Sequence, residues 1–246
     1  MDRMLYVAMS GAKETMLAQA ANNNNLANVA TTGFRADLQQ FRSMPVFGDG
    51  HPTRVYALSE RPATDFSQGP LVHTGRDLDV AINGQGWIAV QAKDGTEAYT
   101  RAGDLRTDVN GFLTTGTGLP VMGDGGPIAI PPADKVIIAA DGTISIRPPG
   151  ANANELAIVE RIKLVNPDLA QMRKGADGLI RPEDGQPAEA DANVRLVQGA
   201  IEGSNVNPAD ALVDMIELSR RYELQVKMMK TADDNAQQSA TIMRAT

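Results

Sequence analysis

Apolar positions along these 246 residues fall into a helical stripe at each end, with short β-type runs between them. The longer stripe follows Ser204-Asn205-Val206-Asn207-Pro208. Asn207 suits an N-cap, because its side chain can accept from an orphan amide of the first turn. Pro208 suits the first helical position, because its φ is already helical. No further Gly or Pro occurs after Pro208. With Leu212 written as heptad position a, the d column reads Met215, Tyr222, Met229, Ala236 and Met243. The a column reads Leu212, Ser219, Val226, Asp233 and Ala240, so polar residues interrupt it at 219 and 233. Such a seam predicts a helix packed along its length on another helix, in the manner of a coiled coil. An amphipathic helix lying on a globular core is the competing reading, and the length of the pattern argues against it.

The segment expected to partner this helix lies at the opposite terminus. Residues 1–30 read as helix, with Leu5, Ala8, Met9, Ala12, Met16 and Ala20 at i, i+3, i+4 spacing. Alanines let a second helix approach closely, and Met fills uneven gaps. The run Asn22-Asn23-Asn24-Asn25 predicts a break, because Asn side chains compete for the backbone. Gly33, free to take φ > 0, is expected to end the element. The interface candidates are Leu5, Ala12, Met16 and Leu26 on one side. On the other they are Leu212, Met215, Tyr222, Val226, Met229, Ala236 and Met243.

Between the helices the pattern changes twice. From Thr32 to about Gly75 the chain is irregular, with Pro45, Pro52, Pro62 and Pro70 among short apolar runs. A structureless loop this long is uncommon in a compact domain, so extended pieces or a hairpin are expected. Residues 76–185 show β-branched runs separated by turn signals. Asn83–Gly86 lies between Asp79–Ile82 and Trp87–Val90, and Asp108–Gly111 between Asp104–Thr107 and Phe112–Thr115. Asp141-Gly142 lies between Val136–Ala140 and Thr143–Ile146. Asn-Gly and Asp-Gly between such runs signal hairpins, because both turn residues tolerate φ > 0. Ile158–Val165 reads as a further strand, with Arg161 and Lys163 alternating against Ile162 and Leu164. The predicted fold class is α+β. Residues 1–30 with 206–246 form a coiled-coil-like terminal domain, 31–75 with 186–205 a connecting region, and 76–185 an antiparallel β-rich domain in which Trp87 is buried.

Composition removes several function classes. A formal charge of −7 and a pI near 4.9 argue against a nucleic-acid partner, which needs a basic face. The chain has no cysteine for disulfides or thiolate metal sites. No run of about 18 apolar residues is present to span a membrane as one helix. Met1 to Ala21 mixes Asp2, Arg3, Lys13 and Glu14 through its apolar residues and lacks the h-region of a secretory signal. Gly84-Gln85-Gly86-Trp87-Ile88-Ala89 fits the loose form of a dinucleotide fingerprint, but the residues that follow the glycines read as strand rather than helix. His51 and His73 show no metal-ligand spacing, and His51 reads as a solvated loop residue. Asp77 and Asp79 would share one face of a strand, the weak basis for an alternative reading as a secreted carbohydrate-active enzyme. A self-associating coiled-coil adaptor is the other alternative.

Motifs at both ends point elsewhere. Asn25-Leu26-Ala27-Asn28 followed by Thr31-Thr32-Gly33-Phe34-Arg35 resembles the N-terminal signature of bacterial flagellar rod and hook proteins. Glu202-Gly203-Ser204-Asn205-Val206-Asn207, Met215-Ile216, Arg221-Tyr222-Glu223 and Ala232-Asp233 resemble that family's C-terminal signature. Leu78–Ile82 and Tyr99–Gly103 extend the likeness through the middle, so it covers most of the chain. The opening Met1-Asp2-Arg3 and the stretch Arg220–Glu223 leading to Asp233-Asp234-Asn235 look like a proximal-rod member, with distal-rod and hook paralogues as the alternative. Ala30 departs from the pattern, since relatives more often carry a polar residue there. The resemblance implies a structural subunit, not an enzyme, that needs no cofactor. It implies partners among other rod proteins, copies of itself and the flagellar type III export apparatus. It also implies a place in the basal-body rod within the periplasm, reached without a cleaved signal peptide.

Overall fold

The computed structural model describes residues 3–39, 41–45, 55–59, 63–152 and 155–244. Expectations resting on Met1, Asp2, His51, Pro52 and Pro62 fall outside the described residues. The chain is α+β, with helix α1 over Arg3–Ala27, antiparallel strands in the middle and helix α2 over Pro208–Arg244. It forms two compact units. One combines Met1–Asn28, Ala36–Asp65 and Val206–Thr246, and the other Val29–Arg35 and Phe66–Asn205.

In the helical unit, α2 begins at the predicted cap. Asn207 Oδ1 accepts from the Ala209 amide at 3.0 Å, and the Asn207 carbonyl accepts from the Ala211 amide at 3.0 Å. The break expected at Asn22–Asn25 does not occur, since α1 runs on to Ala27. Two of these side chains bond away from their own helix. Asn22 Nδ2 donates to the Ala211 carbonyl at 2.7 Å. Asn25 donates to the Asp37 carbonyl at 2.9 Å and accepts from the Asp37 amide at 2.8 Å. Competition with the local backbone, the reason for expecting a break, is thereby relieved. Phe41–Pro45 pairs antiparallel with Val55–Ser59, and Asp37–Leu38 with Ala63–Thr64. These are extended pieces of the kind the proline-spaced stretch predicts.

The β unit contains a five-stranded antiparallel sheet in the order Leu164–Val165, Trp87–Gln91, Glu97–Thr100, Ile180–Pro182, Met172–Lys174. A three-stranded sheet runs Lys135–Ile138, Thr143–Arg147, Ala157–Arg161. Branched aliphatics such as Val80, Ile82, Ile88, Val90, Ile128 and Ile144 fill its main core. Trp87, Tyr99, Val165 and Ile180 form a second cluster. Trp87 is only 3% exposed, and the Phe66 ring meets it edge-on at 5.8 Å. The hairpins at Asp108–Gly111 and Asp141-Gly142 form as predicted.

The hairpin expected across Asn83–Gly86 does not form. Val80–Asn83 pairs with Arg195–Gln198, and Trp87–Gln91 turns through Asp94-Gly95 to pair with Glu97–Thr100. Val80–Ile82 and Trp87–Val90 are buried at every position, so neither is one face of a half-solvated hairpin. Residues 186–205, expected as connecting chain, include Arg195–Gln198 and Ala200–Glu202, both paired within the β unit. The strand expected over Ile158–Val165 divides, giving Ala157–Arg161 to one sheet and Leu164–Val165 to another. Ile162 and Leu164 remain buried, as the alternation requires.

Candidate assembly elements

Helices α1 and α2 pack against each other within the helical unit. Asn22 meets Ala211, while Gly11 approaches Gln225 so closely that a Cβ would lie 2.8 Å from its side-chain amide. The two helices therefore run antiparallel. On α1 the buried positions are Ala8, Gly11, Ala12, Glu14, Thr15 and Ala18, and all but Glu14 are small side chains that permit this approach. Leu5 and Leu26 are half-buried. Met16, placed on the interface by spacing alone, is exposed, as is Met9. They stand seven residues apart on the outer side of the helix.

On α2 the d-column residues Met215, Tyr222 and Met229 are half-buried. The column beside it is one residue off the predicted one. Ala211, Leu218 and Ala232 are buried and Gln225 half-buried, whereas Leu212 and Val226 are exposed. The offset has a simple cause, because reading for apolar character selects Leu212 and Val226 and passes over Gln225, which sits opposite Gly11. Ala236 and Met243 are exposed for a different reason. Helix α1 has 25 residues and α2 has 37. At 1.5 Å per residue these are about 37 and 55 Å long. With Asn22 beside Ala211 and Gly11 beside Gln225, α2 runs past the start of α1 near Asp233. Every described residue from Asp233 onward is exposed.

A half-open cavity of about 290 Å³ lies in the same unit, lined by Ala18, Asn22, Leu38, Phe41, Asp214 and Leu218, among others. Asn25 and Asp37, also among its lining residues, are joined by a two-way hydrogen bond between the Asn25 side chain and the Asp37 backbone. Asn28 Nδ2 donates to the Asn24 carbonyl at 2.9 Å and its amide to Asn24 and Asn25, while Ala27 is the last residue of the helix. Asn25 and Asn28 thus belong to the end of α1. Glu223 is exposed on α2.

Thr32, Gly33, Phe34, Ser204 and Asn205 lie in the β unit. Gly33 does not end α1, which stops six residues earlier. It has φ +68°, and its amide donates to the Glu202 carbonyl at 2.8 Å. The Phe34 carbonyl accepts from the Asn205 amide at 3.3 Å, and Lys174 Nζ stands 3.9 Å from the Phe34 ring centre. Ser204 is buried, Thr32 and Val206 are half-buried, and Asn205 Nδ2 donates to the Ser67 carbonyl at 3.2 Å. The N-terminal and C-terminal signatures are therefore two sides of one backbone contact. Sequence reasoning assigned no role to Arg35, Arg101 or Glu202, all of which are buried here. A charged residue within each quoted motif was the available signal.

Groups considered for chemistry are engaged structurally. Asp77 lies in a turn rather than on a strand face with Asp79, and its carbonyl accepts from Gln198 Nε2 at 2.6 Å. Asp79 is buried and accepts from the Thr74 hydroxyl at 2.6 Å. His73 is exposed, and its Nδ1 lies 2.9 Å from the Gly199 carbonyl, which fixes that nitrogen as the donor. Glu97 accepts from Lys163 Nζ at 2.8 and 2.9 Å and from the Tyr99 hydroxyl at 3.0 Å. Burial pushes the Tyr99 phenol up to about 12; the Ala188 amide that donates to it opposes the rise, and the Glu97 charge adds to it. Among the described residues no group of His, Asp and Glu could hold a metal ion, and no helix is long and apolar enough to cross a membrane.

Two family models match the chain. That of the flagellar basal body rod FlgEFG protein C-terminal region covers residues 197–242, and that of the flagellar hook protein FlgE/F/G D1 domain covers residues 81–146. The flagellar basal-body rod protein FlgF of Escherichia coli is 44% identical over 242 residues, 96% of each chain. This chain belongs to the FlgF family of flagellar basal-body rod proteins. FlgF of Salmonella typhimurium is 43% identical over 96% of each chain, and FlgF of Caulobacter vibrioides 36% over 93% of each. The matched C-terminal region takes in Ala200–Glu202, the motif residues Ser204–Asn207 and all but the end of α2. The FlgF family is a family of structural proteins of the flagellar basal body.

Proposed function

We propose that the chain is a structural subunit of the proximal part of the flagellar rod, assembling through its terminal helices and transmitting torque. The carrying observation is apolar surface that the single chain leaves uncovered on its helical unit. Tyr6, Met9, Met16 and Leu17 are exposed on α1, and Leu212, Val213, Ile216, Leu224 and Ile242 on α2. Large apolar side chains left exposed in such number on one unit suit an interaction surface. Head-to-tail interfaces between subunits close into rings or extend as open helical filaments. In this reading the helical unit is the inner part and the β unit the outer. The two helices pair in coiled-coil fashion, and the remaining faces are covered by other copies and other rod proteins. Close-packed interiors resist deformation, which suits a part that carries torque.

The proximal subtype rests on the FlgF-named relatives. FlgG-named relatives of Buchnera aphidicola reach 31% identity over 95% of this chain, below the 44% and 43% of the two enterobacterial FlgF proteins. The export apparatus enters as a further partner, with passage across the inner membrane without a cleaved signal and a final place in the periplasm. The test compares Met229→Glu with Lys227→Glu. Met229 is half-buried on the pairing face, and Lys227 is exposed. A charge buried at 229 without a partner costs several kcal/mol, roughly 3–5 when uncompensated. Met229→Glu is expected to abolish rod incorporation and motility while export and the melting of the β unit persist. Normal swimming of Met229→Glu cells, or equal impairment by both variants, contradicts assembly that depends on the paired terminal helices.

A further inference from the structure

The β unit is made of two pieces of chain, Val29–Arg35 and Phe66–Asn205, so it has four ends. Three of them converge on one carboxylate. Glu202 is fully buried, three residues before the end at Asn205. Its Oε1 accepts from Arg35 Nη2 at 2.5 Å and from the Gly69 amide at 2.9 Å. Its Oε2 accepts from Arg101 Nη1 at 2.9 Å. Arg35 is the final residue of the first piece, and Gly69 lies three residues into the second. The Glu202 backbone joins in, since its carbonyl accepts from Gly33. Trp87 completes the cluster: the Arg35 and Arg101 guanidinium carbons lie 5.5 and 5.2 Å from its ring centre, with the Phe66 ring at 86° to it.

We propose that Glu202 is the centre of one cooperative anchor that holds the ends at Arg35, Phe66 and Asn205 together on Trp87. The anchor rests on this geometry and does not depend on the assembly reading.

Two cations and one anion are buried together, and the cations have few other partners. Arg35 is 2% exposed and Arg101 6%. Arg35 Nε and Nη1 and Arg101 Nε make no hydrogen bond, while Arg101 Nη2 donates to the Gly84 carbonyl at 2.8 Å. Burial, the largest influence, pulls Arg101 below the ordinary arginine value. The Glu202 charge opposes this, and the neighbouring Arg35 reinforces it. Both guanidiniums therefore depend on Glu202 for counter-charge. Removing that charge leaves two like charges buried side by side, a loss that reaches all the segments at once.

The test is amide hydrogen exchange on the full-length chain and two variants. Glu202→Gln keeps the side-chain shape and removes the charge. It is expected to speed exchange in segments 29–35, 66–70 and 200–205 by about tenfold or more, with Trp87–Gln91 and Thr143–Arg147 nearly unchanged. Arg35→Met leaves Glu202 paired with Arg101, and it decides the matter if Glu202→Gln does not fold. A cooperative anchor predicts that Arg35→Met also loosens 66–70 and 200–205, whose amides Arg35 does not touch. Loosening confined to residues 33–35 would show independent contacts and overturn the proposal. Uniform loosening of the whole β unit, or no change in any segment, would overturn it as well.

Discussion

At Gly33 two requirements coincide. Its φ is +68°, and a Cβ there would lie 2.3 Å from both Ala102 N and Arg101 C, which are backbone atoms unable to move aside. Gly33→Ala is expected to destabilise the β unit by at least about 2 kcal/mol, the left-handed penalty plus the overlap. Gly178, with φ +80° and open space around its Cα, is the control. Ala there should cost about 1 kcal/mol, from the backbone conformation alone. Urea melts followed by Trp87 fluorescence separate the two. Tyr99 supplies a pH prediction. Folding raises its phenol from 10.0 to about 12, so the folded state favours the neutral form. That stabilisation is fully present below about pH 10 and is lost as pH rises towards about 12. Stability against urea should therefore fall across this window by more in the parent chain than in Tyr99→Phe.

For the elements, the sequence reading succeeded where the signal was local. Asn207-Pro208 marks the start of α2, and Asp108–Gly111 and Asp141-Gly142 mark their hairpins. It failed where the deciding partner is distant in sequence. Arg195–Gln198 takes the place beside Val80–Asn83 that Trp87–Gln91 was expected to fill. Asn22 and Asn25 stay helical because Ala211 and Asp37 accept their bonds. Nothing local to Glu202 reveals that Arg35 and Arg101 meet it. The corrected register of α2 is testable by truncation. Leu218 is 9% exposed and Leu212 45%. Leu218→Ala should destabilise the helical unit by about 2 kcal/mol or more, as buried Leu→Ala changes do. Leu212→Ala should stay within about 0.5 kcal/mol, as surface changes do. Helicity measured by circular dichroism during a thermal melt distinguishes them. Equal effects would restore the uncorrected column. The end of α2 beyond Asp233 has no α1 beside it, so its amides should exchange faster than those of residues 211–232.

On the scale of the whole molecule, two features bear on assembly. The helical unit leaves apolar surface uncovered, and the β unit holds three of its own ends on one buried cluster. Paired signatures at the two ends of the chain meet as one contact between Gly33-Phe34 and Glu202–Asn205. These features suit a subunit that must be held by its neighbours and keep its shape among them. The most direct measurement is a density map of basal bodies purified from cells whose rod contains this chain. The account predicts that the chain can be traced within the rod, with α1 and α2 side by side and with Met9, Met16, Leu212 and Ile216 covered by adjacent subunits. A rod with no density for this chain, or with those side chains left facing solvent, would contradict it.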